Sequence, residues 1–304
     1  MDRKNLYSKF LEFVPEELIK IDEPMKKHTT FKIGGPADIL ISPCNKEQIK
    51  SILKICKENE VPFYIMGNGS NLLVRDKGFR GVIIQIYKNM SKVKITEDEV
   101  WAEAGILLSS LANRIKDESL TGFEFAAGIP GTLGGAVYMN AGAYGGEIKQ
   151  VLVSAELLDE NGNEIILTNE ELELGYRTSL LQRKNYILLS AKLKLHKGNK
   201  KEIEEKMNDL AQQRAAKQPL NMPSAGSTFK RPLGYYAGKL IMDSGLRGYC
   251  IGGAEVSQKH CGFIVNKDNA TAKDVIDLIE FVQKTVYDKY QVKMEPEVKI
   301  IGEE

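Results

Sequence analysis

Apolar residues near the start of the chain recur at helical spacing. Leu6, Phe10, Phe13, Val14 and Leu18 predict an amphipathic N-terminal helix over 5–18 that packs onto the body. After Asn45, the residues Ile49, Ile52, Leu53 and Cys56 share a helical face, and a turn at Asn59-Glu60 leads into a strand, Pro62-Phe63-Tyr64-Ile65-Met66. Short β-rich runs follow at 81–86, 93–96 and 100–104, before a helix that turns Leu107, Leu108, Leu111, Ala112 and Ile115 inward. Segments 151–158 and 163–167 flank Asn161-Gly162, a hairpin turn signal, and 186–195 alternates as a further strand. The solvated, lysine-rich run 196–202 marks a boundary and leads into a helix bearing Ile203, Met207 and Leu210. Near the end, Thr271 with Asp274 three residues on caps a helix that faces Val275, Ile279, Val282 and Val286 inward, and 297–301 reads as a closing strand. Strands and helices alternate without regular βαβ spacing, which predicts an α+β fold.

The 304 residues exceed what one core usually supports, so two domains are expected, and a 42% hydrophobic content easily supplies them. A net charge of +1 with interspersed signs leaves no footprint for nucleic acid or an anionic membrane. Neither a signal-type apolar start nor an apolar run of spanning length is visible, so a cytoplasmic protein without membrane insertion is expected. Cys44, Cys56, Cys250 and Cys261 lack CxxC pairing, and His28, His196 and His260 lie far apart. Reduced, mostly buried thiols and no metal site are therefore expected.

Candidate chemistry concentrates in two glycine-rich segments. Seven of nineteen positions are glycine in Gly128-Ile129-Pro130-Gly131-Thr132-Leu133-Gly134-Gly135-Ala136-Val137-Tyr138-Met139-Asn140-Ala141-Gly142-Ala143-Tyr144-Gly145-Gly146. Glycine lets backbone N–H groups approach a ligand, and successive N–H groups form anion-binding concavities. A linker would lack the apolar side chains Ile129, Leu133, Val137, Tyr138 and Met139, so a cofactor loop is the better reading. The second segment, Met66-Gly67-Asn68-Gly69-Ser70-Asn71-Leu72-Leu73, follows a predicted strand and can either cradle a diphosphate or be a generic tight turn. Leu72 occupies the third glycine position of the dinucleotide fingerprint, and no Gly-Lys-Ser/Thr is present. Two such turns fit a large cofactor with separate diphosphate and ring systems, as flavin adenine dinucleotide is.

Gly175-Tyr176-Arg177-Thr178-Ser179 offers an arginine that either clamps a carboxylate or makes a surface ion pair. In Gly226-Ser227-Thr228-Phe229-Lys230-Arg231-Pro232, Ser227 is either turn chemistry or a proton donor. No G-x-S-x-G elbow is present, which disfavours a hydrolase. Glu297 opens the last apolar strand and is unremarkable alone.

In this order, these segments resemble the UDP-N-acetylenolpyruvoylglucosamine reductase family, the MurB flavoenzymes of bacterial peptidoglycan precursor synthesis. The resemblance runs from Thr29-Thr30-Phe31-Lys32-Ile33-Gly34-Gly35-Pro36-Ala37-Asp38 to Glu297-Val298-Lys299-Ile300-Ile301-Gly302, nearly the whole chain. It implies an FAD-binding domain of the vanillyl-alcohol-oxidase/PCMH type, made of two α+β subdomains, followed by a smaller α+β substrate-binding domain. The expected boundaries are an N-terminal helix over 1–20, an FAD-binding domain over 21–197 split near 88–92, and a substrate-binding domain over 198–304.

The resemblance also implies NADPH-dependent reduction of UDP-N-acetylglucosamine enolpyruvate to UDP-N-acetylmuramate through bound FAD, by a monomer. Ser227, Arg177 and Glu297 stand at the family's catalytic positions. Gly67–Asp76 and Gly128–Gly146 match its flavin loops, with Gly67, Asn68, Gly69, Ser70, Asn71, Leu72, Gly128, Pro130, Gly131, Thr132, Gly134, Gly135, Asn140, Ala141 and Gly142 the implied cofactor contacts, and Tyr176, Lys230, Arg231 and His260 are substrate-binding candidates. The short passage from Arg231 to Ala237 is similar to the shorter subtype, with Arg231 where an Asn is common and His260 where the longer form has Gln. Lys239, Asp243 and Asn266 are weaker substrate candidates. An FAD-dependent oxidase and a non-catalytic nucleotide-sugar module could share this fold; peroxide made without NADPH would identify the first, and absence of flavin colour the second.

Overall fold

In the computed structural model, which describes residues 3–304, the N-terminal helix is Arg3–Leu11, shorter than the predicted 5–18. Met1 and Asp2 of the expected segment 1–20 lie outside the described residues. Pro15 disfavours helical backbone at Val14, and a separate 3-10 turn, Glu16–Leu18, follows. Leu6, Phe10 and Val14 are buried as their spacing predicts, whereas Phe13 is exposed.

The chain forms two units, neither continuous in sequence: Met1–Lys20, Leu40–Asn68 and Val82–Arg214 make the first, and Ile21–Ile39, Gly69–Gly81 and Ala215–Glu304 the second. Three of the five crossings fall within strands, in Ile19–Pro24, Pro36–Ile41 and Phe79–Gln85, and the other two after Asn68 and Arg214.

The first unit is built on a five-stranded antiparallel sheet. Its order is Glu164–Thr168, Leu152–Leu158, Ile187–Lys194, Glu99–Glu103, Val93–Thr96. The predicted hairpin is its outer pair, closed by the Asp159 carboxylate, which accepts the N–H groups of Asn161 and Asn163 at 2.8 Å. In the same unit Phe63–Met66 pairs in parallel with residues 82–85. Asn45 caps the helix Lys46–Glu58, accepting from the Gln48 N–H at 2.9 Å, and Ile49, Ile52 and Cys56 are buried.

Leu108–Asp117 buries Leu108, Leu111, Ala112 and Ile115. The long helix Lys200–Lys217 differs: Ile203 alone is fully buried, and Met207 and Leu210 are only half-buried rather than inward. Three ion pairs also link it to neighbouring elements, Lys200–Asp117 at 2.9 Å, Lys116–Glu204 at 3.8 Å and Lys206–Glu124 at 3.1 Å. Burial alone would raise the Glu124 pKa, yet hydrogen bonds from Thr121, Gly122 and Lys206 hold it below the ordinary value.

The second unit contains a three-stranded antiparallel sheet, Cys250–Ile251, Ala254–Val256 and Ile264–Asn266, and a parallel pair in which Lys299–Ile301 aligns with Leu72–Val74. The helix Ala272–Tyr290 begins with the predicted capping box: the Thr271 hydroxyl accepts the Asp274 N–H, and the Asp274 carboxylate accepts the Thr271 N–H. Asp76 caps the same end, accepting the N–H groups of Ala272 at 2.8 Å and Lys273 at 3.0 Å. Phe31, Ile33, Leu73, Val275, Leu278 and Val282 belong to one core.

Cys56 and Cys261 are buried, Cys44 and Cys250 exposed, and all four are free. Among the described residues no helix is long and apolar enough to cross a membrane, and no cluster of three or more His, Cys, Asp or Glu could hold a metal ion.

Candidate functional site

The glycine-rich segment 128–146 is not a continuous loop. Leu133–Met139 is a short helix, with Leu133, Ala136 and Val137 buried on one face and Thr132 as its N-cap. Gly134 allows the helix to lie close against the chain: a Cβ there would stand 3.2 Å from the Ala104 Cβ and carbonyl oxygen, and its N–H already donates to that carbonyl at 2.8 Å. Asn140 ends the helix in the left-handed region at φ 44°. Gly142–Ala143 and Gly146–Glu147 then form a small hairpin.

The Gly67 turn approaches this segment within the first unit. A Cβ on Gly67 would lie 2.2 Å from the Thr132 hydroxyl, and the Asn68 side-chain amide donates to the Pro130 carbonyl at 2.6 Å. The Gln85 side chain donates to the Gly67 carbonyl at 3.3 Å. Gly131 offers its carbonyl to the Leu108 N–H, and Ala141 bonds back to Ala136. Neither segment 66–73 nor segment 128–146 carries a carboxylate that would repel a diphosphate, so the residues present are compatible with FAD, while the Asn68 amide and the Gly134 and Ala141 N–H groups are engaged by protein carbonyls.

Arg177 sits in the same unit on a strained turn. Its φ is 55°, a left-handed conformation uncommon for a residue with a side chain. Gly175 and Thr178 exchange backbone hydrogen bonds across it at 3.1 and 3.3 Å, and the Gln182 side chain donates to its carbonyl. The guanidinium donates to the Gly142 carbonyl at 3.4 Å and lies 5.1 Å from the centre of the Tyr176 ring, which is itself exposed. Sequence reasoning missed how this turn is anchored. The buried Asn140 side chain donates to the Gly175 carbonyl and accepts the Lys149 N–H, while Ser179 and Gln182 both donate to the Tyr138 carbonyl.

In the second unit the Ser227 and Glu297 motifs are paired. The Glu297 N–H donates to the Thr228 carbonyl and the Lys230 N–H to the Glu295 carbonyl, both at 2.8 Å, around a bridge between Phe229 and Pro296. Ser227 is exposed, directly after Gly226 at φ 75°. The continuation of the Gly67 turn, Gly69, Ser70 and Asn71, belongs here: the Asn71 side chain donates to the Glu297 carbonyl at 3.1 Å. Leu72 is buried in its strand, so its side chain is core. Lys230 pairs with Glu295, and Arg231 lies 4.1 Å from the centre of the Tyr236 ring.

His260 is seated between two glycines: Cβ atoms on Gly238 and Gly262 would stand 3.2 and 2.9 Å from its ring. Its Nδ1 accepts the Gly262 N–H at 3.1 Å, which leaves the proton of the neutral ring on Nε2. Burial lowers its pKa from the ordinary 6.5. A histidine whose folded pKa lies below its unfolded one stabilises the fold above about 6.5, and that contribution is lost as pH falls toward the folded pKa. Urea midpoints measured between pH 7.5 and 5.5 should therefore drop further for the wild type than for His260→Gln; parallel profiles would reject this assignment. The weaker candidates have structural partners. Lys239 pairs with Asp243, and Asn266 bridges Phe31 and Ala270.

Residues 218–301 match a family model described as UDP-N-acetylenolpyruvoylglucosamine reductase, C-terminal domain, and residues 37–168 one described as FAD binding domain. The UDP-N-acetylenolpyruvoylglucosamine reductase of Alkaliphilus oremlandii (strain OhILAs) is 57% identical over 304 residues, covering 100% of both chains. That of Clostridioides difficile (strain 630) is 52% identical over the same length, again covering 100% of both. The crystal structure of UDP-N-acetylenolpyruvylglucosamine reductase from Thermus caldophilus matches with a TM-score of 0.81 and 34% identity, over 93% of this chain and 100% of that one.

Proposed function

The chain belongs to the UDP-N-acetylenolpyruvoylglucosamine reductase family, and from that membership we propose the reaction it performs and the residues that perform it. It is an FAD-dependent oxidoreductase of peptidoglycan precursor synthesis that uses NADPH to reduce UDP-N-acetylglucosamine enolpyruvate to UDP-N-acetylmuramate. The observation that carries this is the 57% identity to a curated reductase over the full length of both chains. We take 21–197 as the FAD-binding domain and 198–304 as the substrate-binding domain, a reading supported by the separate matches over 37–168 and 218–301.

Gly67, Asn68, Gly128, Pro130, Gly131, Thr132, Gly134, Gly135, Asn140, Ala141 and Gly142 would hold the cofactor, as would Gly69, Ser70, Asn71 and the backbone of Leu72. When bound, FAD supplies a two-electron carrier that takes hydride from NADPH and passes it to the methylene carbon of the substrate. Charge then builds on the neighbouring carbon and spreads into the substrate carboxylate. Arg177 stabilises that charge, and its strained backbone fixes where the guanidinium points. Ser227 gives its hydroxyl proton to the carbon that carries the charge, and Glu297 orients the groups around it. Tyr176, Lys230, Arg231 and His260 would contact the UDP-sugar. A cytoplasmic monomer completes the reading; sedimentation checks the second part.

The purified protein should be yellow, bleach on adding NADPH without oxygen, and recover its colour only when the enolpyruvyl UDP-sugar is added. Reoxidation by oxygen with peroxide release, and none by the sugar, would instead indicate an oxidase.

A further inference from the structure

The helix Lys200–Lys217 carries a cation that its neighbours do not neutralise. Lys200 and Lys206 on this helix have carboxylate partners, Asp117 and Glu124. Arg214 has no hydrogen bond or ion pair among the described residues. Arg214 is half-buried, and that partial loss of water pulls its pKa below the ordinary arginine value, a shift the Tyr144 phenol opposes. An arginine has five N–H donors, and any of them turned from water without an acceptor is costly.

Its position is specific. The side chain lies along Gly128, where a Cβ would come 3.1 Å from Arg214 Cδ and 3.6 Å from a terminal guanidinium nitrogen. Gly128 is two residues from Pro130, whose carbonyl holds Asn68. Tyr144 is at the tip of the hairpin whose Gly142 carbonyl receives Arg177. Arg214 thus borders the glycine-rich segment near both of its ends, and that segment contributes no carboxylate to it.

We propose that Arg214 is a cofactor-binding residue whose guanidinium takes an anionic oxygen of bound FAD. The inference rests on the FAD-dependent reading above. The oxygen belongs either to the diphosphate, charged in both redox states, or to the pyrimidine edge of the flavin ring, charged only after reduction. Arginine suits both, because its fork meets two oxygens at once.

The test compares holoenzyme with Arg214→Gln and Arg214→Lys by FAD retained on serial dilution, oxidised and reduced, and by the midpoint potential of the bound flavin. Arg214→Gln should lose at least tenfold in FAD affinity, with partial recovery in Arg214→Lys. Equal loss in both redox states assigns the diphosphate. A tenfold greater loss for reduced FAD assigns the ring edge and appears as a fall of about 30 mV in the two-electron potential. Unfolding midpoints of the stripped proteins check that the helix is intact; if Arg214→Gln binds FAD in both states within twofold of wild type, Arg214 has no such role. Wild-type protein that holds no FAD would instead overturn the FAD-dependent reading itself.

Discussion

Ser227→Ala is expected to leave NADPH bleaching of the flavin near the wild-type rate while slowing reoxidation by the enolpyruvyl sugar ~10²–10⁴-fold, the usual contribution of a positioned general acid. The two half-reactions separate because the hydroxyl has no part in taking hydride from NADPH. A neutral serine is a weak acid, so it works only if held close to a strongly basic carbon. The second unit shows what can hold it: Gly226 turns the chain at φ 75°, and Thr228 immediately beyond is locked by bonds to Gly262, Ile264 and Glu297. Nothing in the protein occupies the hydroxyl itself among the described residues, which leaves it available to a ligand. Stopped-flow absorbance of each half-reaction is the measurement. Equal slowing of both would show that Ser227 supports the flavin site rather than donating a proton.

Gly67→Ala should strip the protein of flavin. The new methyl would stand 2.2 Å from the Thr132 hydroxyl, with Thr132 Cγ2 and Cβ only 3.1 and 3.2 Å away. Rotating Thr132 therefore exchanges one clash for another, and it also breaks the cap of the Leu133–Met139 helix, worth about 1 kcal/mol. Overpacking costs about 1–3 kcal/mol, or roughly 5–150-fold if it is all taken from cofactor affinity. Gly135→Ala is the informative companion, since its methyl meets nothing in the protein closer than 3.7 Å. The stripped Gly135→Ala protein should be at least as stable as wild type, so any loss of flavin from it reports contact with the ligand. Flavin absorbance per protein after gel filtration reads both variants. Gly67→Ala retaining full flavin would remove the Gly67–Thr132 contact from the cofactor site.

How much of this was legible depends on the range over which each feature acts. The Thr271 capping box and the Asn161-Gly162 hairpin use residues a few positions apart, and both stand where the sequence puts them. The Leu133–Met139 helix was hidden because glycine at 134 and 135 reads as loop, whereas at Gly134 it serves close packing on Ala104. The Lys200–Lys217 helix was visible, but its docking was not: the apolar period suggested a buried face, whereas only Ile203 is fully buried and the remaining links include ion pairs to distant residues. The motifs around Ser227 and Glu297 were recognisable, yet their pairing needed the fold, since seventy positions separate the two segments. Arg214 gave no local signal, because what distinguishes it is the absence of a partner in space.

The interleaving of the two units has a consequence during synthesis. Phe31, Ile33 and Leu73 emerge from the ribosome early, but the rest of their core, Ala225 to Val298, comes last. The 151 residues between Leu73 and Ala225 must therefore appear while these side chains wait unburied, and a ribosome stalled near Arg214 would present them to chaperones and proteases rather than to their own partners.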